Sequence, residues 1–239
     1  MLRCPLLQPT SNFMKKILPV LVLLLLGAAT PAFCEPSRKD TVTRVESCEA
    51  VLQEIMSDPA TAIPRPVWQA ARAVIITNQF KAGYIFGIKG GYGLIMVKKT
   101  GGQWSVPVLL AANEASFGLQ IGMKSVETVY IITDDATPRL LFKNRFNVGV
   151  DAKATAGPSE AAAEKDYVEI LKTPVLIYTK SAGLYAGATI KAGMVSRDDD
   201  ANFVLYDTNY TLPELLYSDW VTPPAEVQPL MSYVERLAQ

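Results

Sequence analysis

Over residues 41–56 the apolar positions Val42, Val45, Leu52, Ile55 and Met56 recur at helical spacing, with Cys48 and Val51 beside them. This pattern predicts an amphipathic helix. Residues 35–40 read as a polar linker before it, and Asp58-Pro59 as its stop. The opposite side carries Arg44, Glu46, Glu49 and Glu54, more acid than base. That face suits a helix packed on its own domain; a helix lying in a membrane surface would favour Lys and Arg there. At the far end Val227, Leu230, Met231, Val234 and Leu237 predict a second amphipathic helix, with Pro229 near its first turn.

Between these helices the period changes from 3.6 to 2. After the Pro-rich passage at 63–66, residues 67–72 suggest one helical turn, and Ala73-Val74-Ile75-Ile76-Thr77 reads as a buried strand. Further strands are expected at 94–98, 104–110, 116–121 and 127–133, with a hairpin-type turn at Thr100-Gly101-Gly102. Residues 140–144 suggest another helical turn. Residues 146–155 alternate, with Val148, Val150, Ala152 and Ala154 on one side, until Gly157-Pro158 breaks the run. Strands at 175–179, 184–192 and 203–206 complete the set. The expected fold is α+β: an antiparallel β-barrel or sandwich of many short strands, covered by N- and C-terminal helices.

The stretch KAGYIFGIKGGYG, residues 81–93, concentrates five glycines and two lysines. A phosphate-binding loop would end in Gly-Lys-Ser/Thr and lead into a helix; here Leu94-Ile95-Met96-Val97 follows as strand. A small-residue membrane helix is interrupted by Lys81 and Lys89. Strand parity accounts for the segment: Ala82, Tyr84, Phe86 and Ile88 on one face, Gly83, Gly87 and Lys89 on the other. Residues 182–193 repeat the arrangement, ending in Lys191. The glycines are read as permitting close backbone packing in a β-hairpin, with Tyr84 and Phe86 toward the core.

The totals exclude several functions. The 239 residues are 49% hydrophobic and 19% charged, with zero formal net charge, which fits a folded chain without the basic excess of a nucleic-acid binder. No histidine is present, so Ser-His-Asp and Cys-His nucleophiles and histidine metal sites are excluded. Three cysteines do not make a structural zinc site. Asp198, Asp200 and Asn202 have the spacing of the first calcium-loop ligands, but Phe203 and Asn209 stand where that loop needs glycine and glutamate, so a solvated turn is expected. Nothing brings Glu114 and Glu127 together as an acid/base pair. No enzyme activity, cofactor or metal is expected.

The N-terminal residues have the three-part pattern of a secretory signal: Lys15-Lys16, an apolar run over 17–29, and small residues over 28–32. The expected organisation is a signal peptide over residues 1–34 and a single domain over 35–239. Cleavage after Ala32 would keep Cys34, available to pair with Cys48; cleavage after Cys34 would remove it, and both alternatives stay open. Removing residues 1–34 takes Arg3, Lys15 and Lys16 and no acid, leaving 20 basic and 23 acidic groups, a net charge of −3. A periplasmic or secreted protein is expected, peripheral to a membrane if attached to one.

The basic residues carry the remaining chemistry. Lys81, Lys89, Lys98 and Lys99 flank the glycine-rich region, and Arg139, Lys143 and Arg145 cluster before the alternating stretch. Such groups bind anionic headgroups, each contributing about 1 kcal/mol near a membrane surface; the plainer reading is that they keep strand edges soluble.

With these residues assembled, the chain resembles the SYLF-domain family. The resemblance rests on Ala73-Val74-Ile75-Ile76 running into Lys81-Ala82-Gly83-Tyr84, on Gly90-Gly91-Tyr92-Gly93, and on Gln103-Trp104-Ser105-Val106-Pro107. Phe117-Gly118-Leu119-Gln120-Ile121-Gly122, Asn147-Val148-Gly149-Val150 and the run from Tyr178 to Gly187 extend it. It implies a non-enzymatic phospholipid-binding protein; the basic clusters read above, Lys81, Lys89, Lys98, Lys99, Arg139, Lys143 and Arg145, are the candidate lipid contacts. Some members use a basic N-terminal amphipathic helix, which the acidic face over 42–56 does not match. The alternative is a structural or protein-interaction domain of the envelope.

Overall fold

A computed structural model describes residues 36–83, 86–112, 114–117, 124–143, 145–147, 149–160, 167–180 and 194–239. The expected signal segment, Tyr84 and the repeat at 182–193 lie outside them. Residues Pro36–Gln239 cluster as one compact unit.

The first helix, α1 (Arg38–Ser57), starts three residues earlier than its apolar pattern. The residues read as linker are its cap: Ser37 Oγ accepts from Asp40 N–H at 3.2 Å, and Asp40 Oδ2 accepts from Ser37 Oγ at 2.7 Å. Arg38 ties this end to the rest of the domain through the Leu205 carbonyl (2.9 Å) and Glu226 (3.0 Å). A short helix α2 (Arg65–Ala70) follows, with Pro66 in its first turn.

Among the described residues, nine strands make one continuous sheet, curled as a half-barrel, rather than two facing sheets. They are β1 (Ala73–Gly83), β2 (Phe86–Val97), β3 (Val108–Ala111), β4 (Glu114–Phe117), β5 (Lys124–Ile132), β6 (Arg145–Asn147), β7 (Ala154–Ala156), β8 (Val175–Thr179) and β9 (Met194–Arg197). The order is β6-β9-β3-β2-β1-β5-β8-β7, with β4 also on β2. Every pairing is antiparallel except β7 with β8. The central pair departs from the expected short strands: β1 has 11 residues and β2 has 12.

Both faces of the sheet's middle are covered, which is why its strands read as unbroken apolar runs. Val74, Ile76, Leu94, Met96, Leu109, Val129 and Ile131 pack under α1 through Val45, Cys48, Leu52 and Ile55. Helices α4 (Asp199–Tyr206) and α6 (Gln228–Leu237) add Ala201, Leu205, Leu230 and Val234 to that face. On the other face Ile75, Ile95, Val108, Leu110, Tyr130 and Ile132 meet Leu141, Phe146, Val195 and the Leu212, Leu215 and Leu216 side of α5 (Leu212–Tyr217). Each such side chain contributes about 1.5–3 kcal/mol on burial. The remaining helix, α3 (Tyr167–Ile170), lies just before β8.

Three expected elements take other forms. Residues 203–206 belong to helix α4, because Asp198 caps the helix and Asp199 and Asp200 sit in its first turn. The calcium-like spacing is therefore a helix start, not a turn between strands. The alternating run at 146–155 is cut by a turn, where Gly149 has φ +85° and Asp151 Oδ2 accepts from Asn147 N–H at 2.6 Å. Trp104 joins the sheet only by an isolated bridge to Lys98, and β3 begins at Val108.

Cys48 is a free thiol with no exposed surface, facing the Ile76 carbonyl at 3.8 Å. Burial pushes its pKa far up.

Candidate functional site

The β1–β2 hairpin has two unlike halves. In its inner half Ala73, Val74, Ile75 and Ile76 oppose Val97, Met96, Ile95 and Leu94. Its outer half begins at Thr77 and Gln79, buried polar residues whose side chains reach the carbonyls of Thr128 and Ala112 at 3.5 Å each. Opposite them stand Gly93 and Gly91. A Cβ on Gly91 would come within 2.7 Å of Gln79 Cα, and one on Gly93 within 2.5 Å of the Ile76 carbonyl oxygen. The glycines thus do what strand parity predicts: they let β2 lie tightly against β1.

Beyond the glycines the register assembles the charges. Lys81 is directly opposite Lys89 on β2 and directly opposite Lys124 on β5. Lys89 is in turn opposite Glu114 on β4. One row across four strands therefore reads Glu114, Lys89, Lys81, Lys124, with three adjacent lysines. Neighbouring strands are about 4.8 Å apart, and like charges directly opposite each other destabilise a sheet. Phe86 opposes Phe117 further out, and Gly83 opposes Gly87.

The other candidate cations lie elsewhere. Lys98 follows the opposite end of β2, nine residues or about 30 Å along the strand from Lys89. Lys99 donates to the Ser218 carbonyl at 2.7 Å and pairs with Asp219 Oδ1 at 2.5 Å. Arg139 belongs to a 3-10 segment, Thr137–Lys143, and its charge favours the ionised form of the Tyr217 phenol. Burial dominates there and pushes the Tyr217 pKa up, against the lowering influence of Arg139. Lys143 ends that segment and Arg145 opens β6. The seven cations therefore form no single patch. Lys81 and Lys89 meet at one end of the sheet, while Lys99 and Arg139 converge at the other, on residues 217–219.

Sequence reasoning missed Lys124 and Glu114 as members of the row. The signal for Lys124 was the long-range pairing of β1 with β5, which periodicity does not encode. It also missed an aromatic pair beside Asp219: Trp220, 64% exposed, lies 5.4 Å from the Tyr210 ring.

Glu114 and Glu127 stay apart, separated by β2 and β1; Glu127 lies 3.6 Å from the Lys180 ammonium. Among the described residues no group of His, Cys, Asp and Glu could hold a metal ion. No helix among them is long and apolar enough to cross a membrane.

Comparison with known proteins settles the family. The model of the Ysc84 family, described as "Las17-binding protein actin regulator", matches residues 113–237. This chain belongs to the Ysc84 (SYLF) family. It is 30% identical to LAS seventeen-binding protein 3 of Saccharomyces cerevisiae over 181 residues, 74% of this chain and 39% of the yeast protein. Protein YSC84 of the same yeast is 29% identical over 181 residues, 74% of this chain and 38% of that protein. The human SH3 domain-containing YSC84-like protein 1 is 24% identical over 183 residues, 76% of this chain and 53% of that protein. The chain spans about two fifths to one half of these relatives. No solved structure matches it. One of these SYLF relatives is named for binding LAS seventeen, and the family model is described as an actin regulator. The stretch matched by the SYLF family model holds Glu114 and Lys124 of the charged row, whereas Lys81 and Lys89 precede it.

Proposed function

We propose that this SYLF chain is a non-enzymatic phospholipid-binding protein of the cell envelope, periplasmic or secreted. It binds anionic headgroups at the end of the sheet where Lys89, Lys81 and Lys124 stand in register. That row carries the reading. Three directly opposed lysines weaken the sheet that holds them, and among the described strands Glu114 stands opposite Lys89 alone. A bound phosphate offsets the repulsion and makes the row an asset, each lysine contributing about 1 kcal/mol at an anionic surface.

The test is co-sedimentation with liposomes of phosphatidylcholine alone or mixed with phosphatidylglycerol. The expected result is binding to the anionic vesicles that weakens with salt. The Lys81→Gln, Lys89→Gln, Lys124→Gln triple variant should lose it, while Lys172→Gln should not. A wild-type chain that stays in the supernatant at low salt, or a triple variant that pellets like wild type, would refute the reading.

A second reading is a protein-interaction domain, supported by the exposed Trp220–Tyr210 pair and by relatives named for binding LAS seventeen. A purified partner lost on Trp220→Ala, with no vesicle binding, would favour it.

A further inference from the structure

A cleft of about 420 Å³ opens where three elements converge. The turn after β2 gives one wall: Lys99 N–H donates to the Gln103 carbonyl at 2.7 Å, and Trp104 follows. The segment leaving α5 gives the second, through Asp219, Val221 and Pro223. Met231 and Glu235, four residues apart on one side of α6, give the third. The volume falls within the usual range for small-ligand sites.

Trp104 puts an unused donor on this cleft. The residue is 4% exposed, and its indole N–H donates no hydrogen bond among the described residues. A buried tryptophan N–H usually finds a partner. This one is not sealed away: the side-chain atoms both buried and unpaired are Trp68 Nε1, Tyr178 Oη and Arg197 Nε. The Trp104 N–H therefore keeps access to solvent, and the open space that its ring lines is the cleft.

The charge around it has one sign. Residues 198–235 carry eight acids and no lysine or arginine. Cations from outside the stretch pair with four of them: Arg44 with Asp198, Arg197 with Asp199, Lys99 with Asp219 and Arg38 with Glu226. In the cleft, Lys99 is already committed to Asp219 and to the Ser218 carbonyl, at 2.5 and 2.7 Å. Glu235 is exposed and has no basic partner among the described residues. Its neighbour Arg236 lies over the Tyr233 ring, 5.6 Å from the centroid. The cleft thus holds one carboxylate in excess.

We propose that this cleft binds an extended basic peptide segment, in which an apolar residue stands next to an arginine or lysine. A peptide carbonyl accepts from Trp104 Nε1–H, the apolar side chain packs on Leu215 and Met231, and the cation meets Glu235. The Gln103 amide, exposed and without a side-chain hydrogen bond among the described residues, offers a donor and an acceptor to the next peptide unit. The surplus carboxylate selects a basic partner over an acidic one. The site uses neither the lysine row nor the Trp220–Tyr210 pair, and it stands whether or not either of them binds anything.

The probe is the peptide acetyl-Leu-Arg-Leu-amide, with citrulline or glutamate in place of arginine as controls. Binding to the full chain is read by isothermal titration and by the indole N–H resonances in NMR spectra; the chain has three tryptophans, so three such signals. The arginine peptide should bind saturably and shift the Trp104 indole signal while leaving that of Trp68 in place. Glu235→Gln, an exposed change that leaves the fold intact, should weaken binding by about threefold or more, the worth of a partly exposed ion pair. The citrulline peptide should bind more weakly by a similar factor, and the glutamate peptide more weakly still. Trp104→Phe should also bind less; if it fails to fold, Glu235→Gln and the indole shift decide. The Lys81, Lys89, Lys124 triple variant should bind the peptide normally. Absence of saturable binding, a citrulline or glutamate peptide binding as tightly, an unmoved Trp104 signal, or wild-type affinity in Glu235→Gln would overturn the assignment. Dimers seen by sedimentation and broken by Glu235→Gln would overturn it too, in favour of a second copy in the cleft.

Discussion

The side-chain amide of Asn202 is matched to the backbone of Leu109: its Oδ1 accepts from Leu109 N–H at 2.7 Å, and its Nδ2 donates to the Leu109 carbonyl at 2.9 Å. Strand β9 opposes only Leu110 and Ala111, so at Leu109 a helical side chain stands where a strand would continue. Asn202 is 4% exposed. Asn202→Ala leaves both backbone groups buried and unpaired and should lower stability by about 2–4 kcal/mol in urea unfolding. Asn202→Asp keeps the acceptor but loses the donor, and should also destabilise. A change below 0.5 kcal/mol in either variant would mean that water or backbone movement replaces the amide.

The lysine row makes a prediction about the lipid-free protein. Lys81 faces a lysine on each side. Lys81→Thr should therefore raise the melting temperature at low salt, by an amount equivalent to about 0.2–1 kcal/mol for each repulsive pair removed. The gain should shrink as salt is added. A loss of stability, or a gain independent of salt, would show that repulsion is not what the row costs.

Glycine substitutions should separate sharply by position. Gly91→Ala drives a methyl group into the backbone of β1 and should cost about 1–3 kcal/mol or more, because β1 backbone cannot yield as a side chain could. Gly101→Ala, with nothing within 4 Å of the new Cβ, should be nearly neutral. Gly102, at φ +85°, should tolerate alanine less well than Gly101. Thermal melts of the three variants give the order directly.

Acid sensitivity should map to the helix starts. Glu214 Oε2 accepts from Thr211 N–H and from Thr211 Oγ1, each at 2.7 Å, and these bonds hold its pKa below the usual 4.5. Asp40 is lowered in the same way from 3.8, first by the Ser37 hydroxyl and then by the Ser37 N–H. A depressed folded-state pKa contributes stability that is fully present above the unfolded value and lost as pH falls through the folded one. The stability difference between wild type and Glu214→Gln should therefore be largest above about pH 4.5 and shrink below it. Parallel curves from pH 3 to 6 would contradict the assignment.

Periodicity made α1, α6 and the inner half of the β1–β2 hairpin legible, because burial fixes which positions must be apolar. It misread Phe203-Val204-Leu205-Tyr206 as strand: four consecutive apolar residues carry no period, and the deciding signal was the polar cap at Asp198. It misread 146–155 as one strand because alternation continues across a glycine turn, leaving Val150 83% exposed. At the candidate site, parity read the glycines correctly. The alignment of Lys81 with Lys124 depends on a pairing between residues 43 positions apart, which no local pattern specifies. Lys98 and Lys99 looked like companions of Lys89 because they are near in sequence; an extended strand carries them to the opposite end.

The hairpin's two halves have a mechanical consequence. The 11 residues of β1 run from the doubly covered centre of the sheet to the charged row, paired along their length with β2. The outer half is therefore a cantilever clamped at one end. Load applied at Lys81 bends against Ile75 and Ile76, which the layers on the two faces of the sheet hold in place. A surface can pull on such a tip without unseating the core.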